Sequence, residues 1–307
     1  MAYPTIPAPY GFKPVSLIGG QFYAASTRQL PIQYNFGTNI YFGDMVAITR
    51  GYVTRVTMTT GASATTGGAG YGQVGIFVGC TFTDPVSKQK RFSQYWPANT
   101  LAGDAFAYVT DDPDVLFKAV ATTSTTSITV GSISTPMIGL NFYGSDYSGS
   151  TAAVGGNINT GDSYNGIAVT STPSYATTST FPFRLVDLVR DTATATTATL
   201  TSGGGGTSLV TSALPVALPI GTEVGYLAAN GQYIGTGSFV ATAAAAGATA
   251  VTINAQAATV VSPAGTSSTG ITIPANSTLV FTQYPEGLFK MNFGLNSYYN
   301  ATGTQTA

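Results

Sequence analysis

Val53-Thr54-Arg55-Val56-Thr57-Met58 alternates apolar with polar side chains, the period of a strand that turns one face to a core and the other to water. Val115-Leu116-Phe117-Lys118-Ala119-Val120 reads the same way. Around them lie short β-rich runs punctuated by turn residues: Phe22–Ala24, Ile40–Phe42, Met45–Ile48, Gln73–Phe82, Arg91–Tyr95 and Phe106–Val109. Further runs follow at Ser127–Val130, Met137–Leu140, Ile167–Val169 and Phe183–Val189. Strands this short and this evenly spaced predict an all-β fold, a β-sandwich or jelly-roll-like domain. Gly61–Gly72 reads as a loop, and the Gly- and Ser-rich stretch from Tyr143 to Gly166 reads as a surface loop that buries little.

Composition supports the same class. The 307 residues carry 11 Lys+Arg, 12 Asp+Glu, no His and one Cys, so charged residues are 7% of the chain, against about 25% in an ordinary soluble domain. Ser and Thr, roughly a quarter of the residues, stand in for the missing charge, and Thr suits a pleated surface. A surface held in water by hydroxyls and a net charge of −1 offers little colloidal repulsion, so an assembled state is expected.

The same counts exclude chemistry. Without His there is no Ser-His-Asp or Cys-His nucleophile system and no imidazole ligand. A lone Cys80 forms neither an intrachain disulfide nor a thiolate zinc cage. Near-neutral charge removes the field that draws proteins to nucleic acid, and no run approaches the roughly 18 apolar residues of a membrane span. Asp111-Asp112-Pro113-Asp114 lacks the glycine turn and terminal Glu of a calcium loop, whereas Asp followed by Pro is turn chemistry. Gly203–Gly206 is followed by Thr-Ser-Leu, not by Lys and a helix, and is no phosphate loop. The expectation is a protein that is not an enzyme, with no cofactor and no metal.

Three segments are expected. Residues 1–15, with prolines at 4, 7, 9 and 14 among Tyr3, Tyr10 and Phe12, form an extended N-terminal arm. Residues 16–192 plus 274–307 form the main β-domain. Residues 193–273, which hold a single charged residue, Glu223, form an inserted Gly/Ala/Thr-rich β-domain. Within it the stretch beginning at Ala198 parallels the stretch beginning at Val240, each reading strand, Gly-rich turn, strand, an internal repeat about 41 residues apart. Candidate partner-binding residues are Tyr3, Pro4, Pro7, Pro9, Tyr10, Phe12 and Lys13 on the arm, whose rings are expected to lie on a neighbouring subunit. Lys88, Lys90 and Arg91 join them, as the densest basic cluster, on a turn between two strands. Met1–Tyr10 lacks the basic and apolar regions of a secretory signal, so assembly in a host cytoplasm is expected.

Ala8–Val15, Tyr23–Arg28, Ile40–Val46, Gly75–Cys80, Ser93–Trp96, Tyr108–Phe117 and Asn159–Ser163 together resemble the decoration, or cement, proteins of tailed bacteriophages. The resemblance implies a virion protein on the capsid exterior, commonly a homotrimer, that binds the major capsid protein and braces neighbouring subunits. The insert departs from shorter members and leaves open a second reading. That reading is a tail or spike adhesin holding host-surface glycans through the insert, or through Trp96 and exposed tyrosines.

Overall fold

The computed structural model describes residues 6, 8–56, 73–123, 128–145, 155–170, 175–176, 181–203, 208–254, 273–274 and 276–292. The arm residues Tyr3, Pro4 and Pro7 and the loop expected at Gly61–Gly72 lie outside them. All-β is the observed class. The first part of the chain supplies β1 (Lys13–Leu17), β2 (Arg28–Pro31), β3 (Met45–Thr49), β4 (Tyr52–Arg55), β5 (Gln73–Thr83), β6 (Lys90–Ser93), β7 (Phe106–Thr110) and β8 (Val115–Thr122). Five of these make one sheet in the order β2-β7-β5-β3-β4, with β6 also on β5. Then come β9 (Asn141–Phe142), β10 (Gly144–Ser145), β11 (Gly166–Ala168), β12 (Tyr175–Ala176) and β13 (Phe183–Leu188).

The second sheet runs β10-β11-β8, then a late strand β20 (Glu286–Met291), then β13-β9-β12, with β1 also on β8. Met45 and Ile76 of the first sheet share a buried cluster with Phe117, Phe183 and Phe289 of the second. The opposite face of the first sheet closes over Trp96, Ile40 and Phe82. Four expected strands differ. Phe22 makes only an isolated bridge to Ser16 and is 93% exposed, Ile40 and Phe42 make only isolated bridges to Trp96 and Asp162, and Val130 makes only one to Thr122. Thr135–Met137 is a 3-10 turn with Pro136 in its first turn, where a missing N–H costs nothing.

Between β13 and β20 the chain builds a separate closed barrel from β14 (Thr194–Gly203), β15 (Ser208–Thr211), β16 (Glu223–Leu227), β17 (Tyr233–Thr242), β18 (Ala250–Ile253) and β19 (Thr278–Gln283), in ring order β14-β15-β18-β17-β16-β19. Exchanging β14 with β17, β15 with β18 and β16 with β19 returns the same ring. The equivalent strands β15 and β18 pair with each other, as do β16 and β19. The sequence repeat is thus two three-strand units around an approximate dyad. Ala198, Leu200, Leu209, Val224, Val251, Ile253, Leu279 and Phe281 point inward.

Here the expected boundary needs correction. Leu279 and Phe281 fall within the expected main domain, but β19 pairs along β14 and β16, so the insert ends near residue 284, not 273. Both side chains fill the barrel's own apolar core beside Leu200, Leu209 and Val224. The barrel docks through Ile220 and Phe239 against Ile133 and Met137. Thr135 donates its N–H to Glu223 Oε2 at 2.9 Å. Gly221, at φ +86°, lies so close that a Cβ would sit 2.0 Å from the Ser132 carbonyl oxygen.

Candidate partner-binding surface

The described part of the arm belongs to the chain's own fold. Phe12 is fully buried and stacks on Phe183 with ring centroids 4.2 Å apart, and Pro9 is buried. The approach is so close that Gly11 (φ +81°) and Gly43 (φ +87°) cross, a Cβ on Gly43 falling 2.7 Å from the Phe12 nitrogen. Such backbone contact tolerates only glycine. The Tyr10 hydroxyl donates a short hydrogen bond to Glu286, whose other neighbour is Lys118 Nζ at 3.4 Å. Burial, and then Glu286, push the Tyr10 phenol well above its ordinary value. Lys13 enters β1, lies 4.5 Å over the Tyr10 ring and pairs with Asp162 at 3.6 Å. The expectation that Pro9 and Phe12 lie on a neighbour is therefore corrected, since a ring buried at home has no surface left to offer, and the half-buried Tyr10 spends its hydroxyl on Glu286.

Polar groups that looked like loop chemistry form an internal crosslink. Asp44, fully buried, accepts from the Tyr41 N–H at 2.8 Å, Arg55 Nε at 3.1 Å, Ser163 Oγ at 2.6 Å and Asn165 Nδ2 at 2.8 Å. Within the expected surface loop Gly155, Gly156, Gly161, Ser163, Asn165 and Gly166 are buried, and residues 158–160 stay exposed. The buried Ser163 and Asn165 side chains are satisfied by Asp44, and Gly156 lets this strap approach the Tyr41 ring. The signals in the sequence are an Arg at a polar position of an alternating strand and an Asp just before Met45 of β3. Ser163 is occupied here and is no nucleophile. In the Asp111–Asp114 run, Asp112 accepts the Asp114 N–H at 2.9 Å and Asp111 pairs with Arg28 at 2.8 Å. Among the described residues no group of three or more His, Cys, Asp or Glu is set to hold a metal.

The outward chemistry collects on the β5–β6 hairpin. Asp84 organises its turn, Oδ1 accepting the N–H groups of Val86 at 2.8 Å and Ser87 at 3.3 Å while Oδ2 meets Arg91 Nη1 at 3.1 Å. These bonds, the Val86 N–H foremost, hold its carboxyl below the usual value. Asp104, bonded by the Thr83 hydroxyl and N–H, is lowered likewise. Lys88 adopts φ +59°, and Lys88, Lys90 and Arg91 are all exposed. Beside them Val86 is 89% and Phe92 74% exposed. Thr81 of β5 lies opposite Phe92 on one side and Phe106 on the other, so both phenyls share one outward face.

A groove of about 580 Å³ continues that face, lined by Lys13, Phe42, Phe92, Gln94, Tyr108 and Asp162 among others. The fold brings Lys13 to the hairpin's surface, which linear distance concealed. Cys80 borders the groove but is buried, and burial pushes its thiol up to about 12, the opposite of a reactive thiolate. Trp96 is fully buried with Phe82 edge-on at 5.3 Å, so it is a core residue and not a glycan platform. A second cleft of about 580 Å³, at the mouth of the barrel, is lined by Thr123, Val130, Val216, Pro219, Ala244 and Gln283 among others. Among the described residues its lining holds no ionisable side chain. Compared with protein-family models, with curated proteins and with solved structures, the chain matches none.

Proposed function

We propose that this chain is a non-enzymatic virion protein that binds the outside of a tailed-bacteriophage capsid, as a homotrimer, and stabilises the shell by bridging major capsid subunits. One observation carries the reading: the hairpin face sets exposed Phe92, Phe106 and Val86 beside Lys88 and Lys90. Aromatic residues and Arg mark protein–protein interfaces. The buried acids support it from the other side, since Asp44, Glu223 and Glu286 are all engaged in holding segments together. Low charge and many hydroxyls suit a contact repeated over a lattice, where avidity replaces affinity.

The test is a count. Particles carrying the protein are purified and its copies per major capsid subunit measured by quantitative gel and cryo-microscopy. About one per subunit, reduced severalfold by Phe92→Ser with Lys90→Glu, supports the reading. A handful at one vertex moves the protein to the tail and makes glycan binding the leading function.

A further inference from the structure

The hairpin has a free edge as well as a face. Asp84 donates its N–H to the Gln89 carbonyl at 2.9 Å, which makes Asp84 and Gln89 a hydrogen-bonded pair of the antiparallel ladder. The register continues Thr83↔Lys90, Phe82↔Arg91, Thr81↔Phe92, Cys80↔Ser93. Because bonded and non-bonded pairs alternate, Arg91 and Ser93 turn their backbone groups toward β5, while Lys90 and Phe92 turn theirs away from it. On that outer side β6 has no strand partner among the described residues, and Lys90, Arg91 and Phe92 are all exposed. An unpaired strand edge is a template for another chain.

Charge selects the chain. Antiparallel pairing with β6 of a second copy would set Lys88, Lys90 and Arg91 of each against those of the other, and like charges across a ladder destabilise it. Among the described residues neither Lys88 nor Lys90 forms an ion pair with a carboxylate, Asp104 standing only near enough to Lys90 to feel its charge, and Arg91 is the one cation of the three in such a pair. We propose that β6 captures an extended, acidic segment of a partner protein by strand addition. The Lys90 and Phe92 backbone groups supply the pairing, an Asp or Glu of the incoming strand lies beside Lys90, and an apolar side chain two residues along lies on Phe92. This deepens the surface-binding reading and rests on it for the partner's being a protein.

The probe is a ten-residue end-blocked fluorescent peptide of Glu, Thr and Phe, with acids and rings two residues apart on one face. Two controls accompany it: the same peptide with Lys for Glu, and the same peptide N-methylated at alternate residues along its pairing edge. Anisotropy reports affinity, and amide shifts with slowed exchange at Lys90 and Phe92 report the site. The acidic peptide should bind about tenfold or more tighter than the Lys version, N-methylation should abolish binding, and Lys88→Glu with Lys90→Glu should invert the charge preference. Equal binding of both charges, indifference to N-methylation, no binding at all, or a sedimentation dimer broken by Lys90→Pro would each overturn strand capture. The particle count is independent: unchanged occupancy of the Lys88→Glu, Lys90→Glu protein sinks the hairpin while leaving the capsid reading standing, and absence from particles does the reverse.

Discussion

Arg55→Met tests whether the Asp44 crosslink holds the main domain together. The substitution keeps most of the apolar stem but deprives a fully buried carboxylate of its cation, whose own side chain is only 6% exposed. Removing one partner of a buried pair costs about 3–5 kcal/mol, because the remaining charge is uncompensated. For a body of this size each kcal/mol lowers the melting temperature by roughly 2–4 °C, so a fall on the order of 10 °C is expected. Trp96, the single tryptophan, is buried in the adjacent core and reports the transition by fluorescence. The control is Asp44→Asn combined with Arg55→Met, which removes both charges and should be less destabilised than Arg55→Met alone. A single variant within about 1 kcal/mol of the parent, or a double variant as unstable as the sum of the singles, would refute the argument.

Phe12→Ala, by emptying the stack on Phe183, should cost about 3–5 kcal/mol in chemical denaturation; a loss below about 1 kcal/mol would mean that the arm is not part of the core. Cys80 should resist a thiol reagent in the native protein and react fully in denaturant, and rapid native labelling would contradict its burial. Asp84 and Asp104 have folded values below their unfolded ones. Their contribution is therefore complete above the ordinary carboxylate value near about 4 and is lost as pH falls through the lower folded value. Hydrogen exchange in the β5–β6 turn should quicken over that acid range, and Asp84→Asn should remove most of the dependence; a pH-independent turn would refute it. Residues 193–284 expressed alone should melt cooperatively as a β-protein, since the barrel has its own core; a non-cooperative melt would make it dependent on the Ile220 and Phe239 contacts.

Local pattern was enough for the all-β class. Alternation and turn residues act over a few residues, and the parallel between the stretches at Ala198 and Val240 is visible without any fold. Tertiary structure decided what depends on contacts between distant segments. Phe12 looked like a free ring on a proline arm until Phe183 covered it, and Leu279 and Phe281 looked like main-domain residues until β14 and β16 paired with β19. Ser163 and Asn165 sat in a stretch that composition marked as surface, because composition weighs burial by apolarity and cannot foresee a carboxylate 119 residues away that satisfies them. The basic cluster was legible as Lys88, Lys90 and Arg91. That Phe92 and Phe106 flank Thr81 on the same face, and that Lys90 and Phe92 carry the free edge, follows only from strand register, which one residue of slip would invert.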